Sequence, residues 1–431
     1  MPPSNEIKFA GLKINGWRQF GDINIELHPQ LTVLTGSNGA GKSTLLNIFS
    51  SHFGYQRPYL ATPYRDPTGG YRYMSGIFNL FRKIFTSSNP NPNIQQVGEI
   101  SYTNGAHSVA HFPGQESIQY NLTIAQQQQV QGFHVPSHRR LSNYRQVNQI
   151  PTQPMLPQQA YDQFNGEITT DFQGGHTGFS STYRIKEALL SMAVFGPGSK
   201  FIQQNDVVMS AFDGFTDILR KILPEEIGFI EISIRSPDVV LVTKTGDFLI
   251  DAASGGLMVL VDLAWQIYMF SLRFSSFVIT IDEPENHLHP SMQRTLMSNL
   301  IKTFPQVQFI VATHSPFIVS AVREARVYVL RYQDRLDIPS NPRVSSKQTR
   351  FVNSVLLDSA NRVGTASQIL RDVLGLPTTY PEWVTQGMEE IIIKYQGRPF
   401  TEGLLKELRE ELTKSGYGDL YPDVLSKVVK Q

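Results

Sequence analysis

The sequence predicts an α/β fold built on a parallel sheet, and three observations carry that prediction. Leu31 to Thr35 reads as a buried strand. It runs straight into the glycine-rich turn Gly36-Ser37-Asn38-Gly39-Ala40-Gly41-Lys42-Ser43, and the apolar helix Thr44 to Phe49 follows. Phe277 to Ile281 is a continuous β-branched run that ends on Asp282-Glu283. Val307 to Ala312 is a second such run and ends on Thr313-His314-Ser315. Uninterrupted apolar strands suit the middle of a sheet covered on both faces.

The remaining elements follow in order. Ile7 to Ile14 and Ile23 to Leu27 read as strands. From about 54 to 180 the pattern loosens. Thr86 to Asn93 is loop, Val97 to Tyr102 and Tyr120 to Ile124 are β-like, and Gln126 to Gln129 is a solvated polar tract. Gln173 to Gly178 reads as a mobile stretch. Helices resume at Tyr183 to Phe195 and Val207 to Leu223. A hairpin is predicted from Phe229 to Ile234 and Val239 to Ile250, with a turn near Thr245-Gly246. Ser254-Gly255-Gly256 then opens a long apolar helix. From about 351 the chain is predicted to be mostly helical. Leu404, Leu405, Leu408 and Leu412 form a stripe there, and Gly416 is a stop. The predicted division is 1–53 and 229–330 for the two parts of the core, 54–228 for a β and helical insert lobe, and 331–431 for a helical C-terminal region.

Composition narrows the class. Of the 431 residues 40% are hydrophobic, which fits a packed globular chain. No apolar run reaches the 18 residues of a membrane span, and the polar start Met1 to Glu6 lacks the apolar stretch of a secretory signal. Cysteine is absent, which excludes disulfides and thiolate metal sites. A cytoplasmic location with no membrane partner is therefore expected. The formal net charge is +1, so any nucleic-acid contact must come from local patches such as the basic stretch Arg343 to Arg350.

The turn from Gly36 to Ser43 is a phosphate loop. Its backbone N–H groups and the following helix N-terminus favour anionic oxygens. Lys42 is expected on the β- and γ-phosphates of ATP, Ser43 on Mg²⁺, and Thr44 adds a second hydroxyl. An acidic residue at the tip of a buried parallel strand faces the same crevice. Asp282 is thus a Mg²⁺ ligand candidate and Glu283 the candidate base that polarises water. His314, one strand on, is placed to hydrogen-bond the γ-phosphate. Ser254, Gly255 and Gly256 form a further anion nest. A head-to-tail dimer would let each such nest close over the ATP of the other subunit.

The order phosphate loop, Ser-Gly-Gly, Asp-Glu-Pro, Thr-His resembles the ATP-binding-cassette ATPase superfamily. The string Asp282-Glu283-Pro284-Glu285-Asn286-His287-Leu288-His289-Pro290, with Thr313-His314-Ser315-Pro316, is similar to overcoming-lysogenization-defect nucleases, RecF-type repair ATPases and chromosome-maintenance heads. Within that group it looks like the ATPase subunits of anti-phage systems such as Septu and the retrons. The resemblance covers residues 7 to 50 and 229 to 330. It implies an ATPase head with an antiparallel β subdomain, a mixed insert and a helical C-terminal region. It also places Glu285 to His289 at a dimer interface, His287 and His289 being interface or packing groups in preference to metal ligands. Arg18 in Trp17-Arg18-Gln19-Phe20 takes the place of a basic residue beside the nucleotide, and Trp17 or Phe20 is set either on adenine or in the core. The glutamine loop of the superfamily has no clear match; His138-Arg139-Arg140 stands in its place.

Departures limit the resemblance. The chain has no long coiled coil, no Cys-x-x-Cys hook and no Asp-x-Asp pair after Leu330, so no nuclease of its own is expected. The resulting expectation is a dimeric ATP-driven switch that controls a separate effector, a nuclease, in anti-phage defence. A RecF-type ATPase clamping DNA is the alternative. A transporter subunit fits poorly, because a long mixed insert separates the phosphate loop from Ser-Gly-Gly.

Overall fold

The computed structural model describes residues 6–65, 71–74, 95–112, 118–138, 143–334, 350–358, 364–376, 380–399 and 401–429. The chain divides into two compact units, 1–364 and 365–431. The first is organised by an 11-stranded sheet. Its strands are labelled in chain order: β1 Phe9–Trp17, β2 Phe20–Glu26, β3 Leu31–Gly36, β4 Gln95–Tyr102, β5 His107–Phe112, β6 Thr123–Ala125, β7 Gly132–Val135, β8 Val278–Asp282, β9 Gln308–Ala312, β10 Arg326–Asp334 and β11 Arg350–Leu356. Across the sheet they run β6-β5-β4-β1-β2-β11-β10-β3-β9-β8-β7.

The two halves of the sheet read differently because they are covered differently. In β1 Leu12 and Ile14 are buried while Lys13 and Asn15 are exposed, the alternation of a strand with one wet face. In β3 every residue is buried, as the unbroken apolar run requires. β10, β3, β9, β8 and β7 are parallel neighbours, and their registers align Leu330 with Gly36, Ala312 with Leu34, Asp282 with Ala312 and Val135 with Ile281. Their C-terminal ends therefore share one edge. Helix α1, Lys42–Ser50, packs beneath it through Leu45, Leu46, Ile48 and Phe49.

Where β2 meets β11 the halves join with little backbone pairing, since only Val352 and Phe20 are register partners. Side chains satisfy the remaining N–H groups of β2. Asp22 N donates to Asn353 Oδ1 at 2.8 Å, Asn24 N to Ser354 Oγ at 2.8 Å and Glu26 N to the Tyr328 hydroxyl at 2.9 Å. The Glu26 bond is half-buried, where an unmet donor would cost on the order of 1–3 kcal/mol, and the other two are exposed.

A helical layer is built from α2 Pro157–Phe172, α3 Ser181–Phe195, α4 Asp206–Ile222 and α5 Gly255–Ser271. Ionic contacts add to its apolar packing. Arg184 meets Glu167 at 2.9 Å, and the fully buried Lys186 meets Asp251 Oδ2 at 2.7 Å. The predicted hairpin forms as Phe229–Arg235 and Asp238–Thr243, with a third short strand Phe248–Leu249. Helix α6, Pro290–Thr303, links β8 to β9.

Three expectations change. The stretch after 351 is not helical at its start, since residues 350–356 form β11 and pair with β10. The β runs assigned to an insert lobe belong to the main sheet: β4 pairs with β1 and β7 with β8. Helix α2 falls in the stretch that reads as loose. The sequence intervals Thr86 to Asn93 and 343 to 349 lie outside the described residues, as do Arg139 and Arg140. Among the described residues no helix is long and apolar enough to cross a membrane.

The second unit contains α7 Glu382–Tyr395, α8 Glu402–Lys414 and α9 Tyr421–Val429. Val384, Met388, Ile391, Ile392, Leu404, Leu408, Leu412, Val424 and Val428 form its own core. Leu405 lies half-buried beside that stripe, and Trp383 and Ile393 are exposed. Gly416, at φ +78, ends α8 as predicted.

Candidate functional site

The phosphate loop is shaped by glycines at which a side chain would collide. Gly36 has φ +142, and a Cβ there would lie 2.5 Å from the Leu330 carbonyl oxygen. Gly41 has φ +96 and caps α1, and a Cβ there would lie 2.5 Å from the Phe20 ring. Gly39 is at φ +77 beside the Tyr332 hydroxyl. Ser37, Asn38 and Gly39 are exposed, whereas Ala40 is buried and donates its N–H to Ser37 O at 3.2 Å. Lys42 is buried, and its Nζ donates to Gly36 O at 3.1 Å and Ser37 O at 3.2 Å. Burial lowers its pKa, and the carboxylates of Asp282, Glu283 and Glu285 oppose that shift. An anionic phosphate at the loop adds to this opposing field and favours the ammonium form.

Asp282 ends β8, next to the loop. Burial raises its pKa, assisted by Glu283 and Glu285, while the Ser43 hydroxyl hydrogen-bonds the carboxyl and Lys42 pulls it back. Its Oδ1 is buried without a hydrogen-bond partner. An orphaned carboxylate oxygen beside a first-turn serine suits a hard divalent cation with oxygen ligands. Thr44, in the same turn, is half-buried.

Glu283 follows with φ +50, a left-handed backbone that non-glycine residues adopt at a cost. The bend is held by Glu283 N donating to Ala312 O at 2.9 Å. Asn286 Nδ2 donates to Glu283 Oε2 at 3.0 Å and thereby orients the carboxylate. His314 follows β9 through Thr313, whose carbonyl accepts from Thr35 Oγ1 at 3.0 Å. Burial lowers the His314 pKa and Lys42 lowers it further, against Glu283, so the neutral imidazole is favoured.

The arrangement brings together Lys42, Ser43, Asp282, Glu283 and His314 at one edge. It treats the other candidates differently. Ser254 is exposed and caps α5, its side chain accepting from Leu257 N at 3.4 Å. Gly255 is half-buried. Gly256 is buried, and a Cβ on it would lie 2.8 Å from His287 O, so the Ser-Gly-Gly turn packs on the 285–289 segment of its own chain. Arg18, at φ +52 in the β1–β2 turn, donates to Leu60 O at 3.3 Å and lies over the Tyr59 ring. Trp17 and Phe20 are core residues, buried to 2% and 0% exposure, which corrects the adenine alternative. His289 caps α6 by accepting from Ser291 N, and among the described residues no group of His, Asp and Glu forms a metal cluster. His138 is exposed just beyond β7, on the same edge.

Sequence reasoning gives Gln19 and Gln293 no role and reads Glu285 and Asn286 only as part of an interface segment. Gln19 Nε2 reaches Gly39 O at 3.4 Å. Asn286 holds Glu283, Gln293 bonds the Ser315 hydroxyl, and Glu285 accepts from the turn that carries His314. The motif spacing from 282 to 290 was the available signal for Glu285 and Asn286. For Gln19 and Gln293 the sequence holds none.

Parts of the chain are similar to known ATPases. Residues 11–149 match a family described as AAA domain, and residues 267–320 match one described as AAA domain, putative AbiEii toxin, Type IV TA system. The Retron Vc95 probable ATPase of Vibrio cholerae serotype O1 biovar El Tor is 39% identical over 69 residues, 15% of this chain and 13% of that protein. The Retron Ec83 probable ATPase of Escherichia coli is 36% identical over 66 residues, 15% and 12% of the respective chains. Septu protein PtuA of Bacillus mycoides (strain KBAB4) is 34% identical over 82 residues, 18% and 12%. The matched region thus spans about an eighth of each relative's length.

Proposed function

We propose that this AAA-family ATPase chain binds ATP with Mg²⁺ at Gly36–Ser43 and hydrolyses it, acting as a head-to-tail dimeric switch for a separate nuclease-type effector in anti-phage defence. The observation that carries the reading is the convergence of three motifs on one sheet edge. The phosphate loop, Asp282-Glu283 and Thr313-His314 terminate the parallel neighbours β3, β8 and β9. Each residue then has a role its surroundings support. The loop N–H groups and the N-terminus of α1 bind phosphate oxygens. Lys42 adds a buried positive charge beside them. Ser43 and Asp282 would hold Mg²⁺, which supplies charge neutralisation across the phosphates when bound. Glu283, oriented by Asn286, accepts a proton from attacking water. Neutral His314 donates a hydrogen bond to a γ-phosphate oxygen and registers its departure.

The dimer part of the reading rests on Ser254, which is exposed at the mouth of α5 although its hydroxyl already caps its own helix. A pre-formed helix N-terminus with an exposed serine suits an anion, which in this reading is a second subunit's nucleotide. The effector part rests on the partial likeness to proteins named as retron and Septu components. ATP titration by calorimetry with Mg²⁺ tests the foundation. Lys42→Ala removes a charge-assisted contact worth about 1.5–3 kcal/mol and should weaken binding roughly 10- to 150-fold. Equal affinity in the variant and the parent would contradict the site.

A further inference from the structure

The 285–289 segment is tied to the His314 turn more tightly than its role as a connector requires. Glu285 Oε1 alone accepts three hydrogen bonds: Thr313 Oγ1 at 2.7 Å, His314 N at 2.7 Å and Ser315 N at 3.1 Å. Gln293, on α6, adds a second staple. Its Oε1 accepts from Ser315 Oγ at 2.7 Å, and its Nε2 donates to Leu288 O at 2.9 Å. The other Glu285 oxygen, Oε2, is buried without a partner, so the carboxylate spends its contacts on the turn. One residue on, Asn286 bonds Glu283 Oε2 and also donates to Ser137 O at 3.3 Å. Beyond it His287 is exposed at φ +68, with its carbonyl packed against Gly256.

We propose that Glu285 is a positioning residue that holds His314 in register with Glu283 and couples the 286–289 turn, exposed at His287 and His289, to the γ-phosphate end of the site. The inference rests on the ATP reading above and adds a path. A displacement of the turn, such as a docking subunit would impose, moves Glu283 through Asn286 and His314 through Glu285 together. Two groups that must face the same phosphate from different strands, 31 residues apart in the chain, are thereby made to move as one. Catalytic groups displaced by about 1 Å lose on the order of 100-fold in rate. A switch built on this bond therefore controls turnover without touching the loop that binds ATP.

Two variants separate positioning from folding. Glu285→Ala deletes the acceptor, whereas Glu285→Gln keeps an acceptor oxygen in the same place. Hydrogen exchange of the His314 and Ser315 amides in the nucleotide-free chain reads the bond directly, and ATP binding and steady-state turnover read its consequence. Glu285→Ala should leave ATP affinity within about twofold, speed exchange of both amides roughly tenfold and lower kcat on the order of 100-fold. Glu285→Gln should keep the protection and most of kcat. Unchanged exchange and kcat in Glu285→Ala would overturn the proposal, as would a loss of ATP affinity equal to the loss of kcat. If the parent chain shows no ATP turnover, the hydrolytic reading fails. The amide exchange alone then decides whether Glu285 positions the His314 turn.

Discussion

Replacing Gly36 with alanine tests whether the phosphate loop is held by sterics as well as by motif. Two costs follow from the geometry. Gly36 lies at φ +142, where an L side chain is strained, and left-handed backbone costs about 1–2 kcal/mol. The new Cβ would also lie 2.5 Å from the Leu330 carbonyl oxygen and 3.3 Å from its carbon. These are backbone atoms of β10, paired in register with Gly36 itself, and they cannot swing aside as a side-chain tip can. Forcing such a contact adds roughly 1–3 kcal/mol, so the total is about 2–5 kcal/mol. Gly54 supplies the control. It has φ +83, and a Cβ there would meet nothing within 4 Å, so Gly54→Ala carries the backbone cost alone, about 1–2 kcal/mol. Thermal unfolding of both variants, followed by ATP titration, reads the difference. Gly36→Ala should lower Tm about twice as far and lose nucleotide affinity, because the strand end that feeds the loop must shift. Equal Tm losses and undiminished ATP binding in Gly36→Ala would refute the steric argument.

Three further outcomes are expected. His134 on β7 is buried, its Nδ1 bonded to Thr280 Oγ1, and burial takes its pKa down to about 3. An unfolded histidine titrates near 6.5, so below that pH the unfolded chain takes up a proton that the folded chain refuses. Stability then falls as pH falls, by about 2 kcal/mol from pH 7.5 to 5. Urea unfolding of His134→Gln at both pH values should show that much less acid sensitivity, and an unchanged pH dependence would remove His134 as the cause. Ser254→Arg should bind ATP like the parent but abolish ATP-driven dimers in sedimentation; dimers that persist would refute the sandwich arrangement. A chain ending at Gly364 keeps β11 and should stay folded and bind ATP, whereas one ending before Phe351 loses that strand and should melt lower in a thermal scan. Identical melting of the two would deny β11 its place in the sheet.

The chemistry of the site was legible because it is local. A strand, a special turn and a helix are consecutive at 31–50, and each acidic or histidine motif directly follows its own apolar strand. What escaped is what pairs distant segments. β4 joins β1 across more than 80 residues, and the polar side chains of β11 complete β2 across more than 300. Neither carries a periodic signal. Helix α2 was hidden because its buried face includes Glu167, which is polar by sequence and is buried against Arg184. The hydrogen bonds from the His314 turn to Glu285 are invisible for the same reason, since a motif marks where an acidic residue stands and not which amides it accepts from. Trp17 and Phe20 were ambiguous until the packing placed Phe20 beneath Gly41.

The central claim is that Glu283 activates water at a site where Lys42 and the phosphate loop hold ATP. The most direct measurement is ATP binding and phosphate release by Glu283→Gln beside the parent chain. The substitution keeps shape and the Asn286 contact but removes the base, whose contribution is about 100- to 10,000-fold. The account predicts ATP retained at parental affinity with phosphate release reduced by that order. Phosphate release at the parental rate from Glu283→Gln would contradict it.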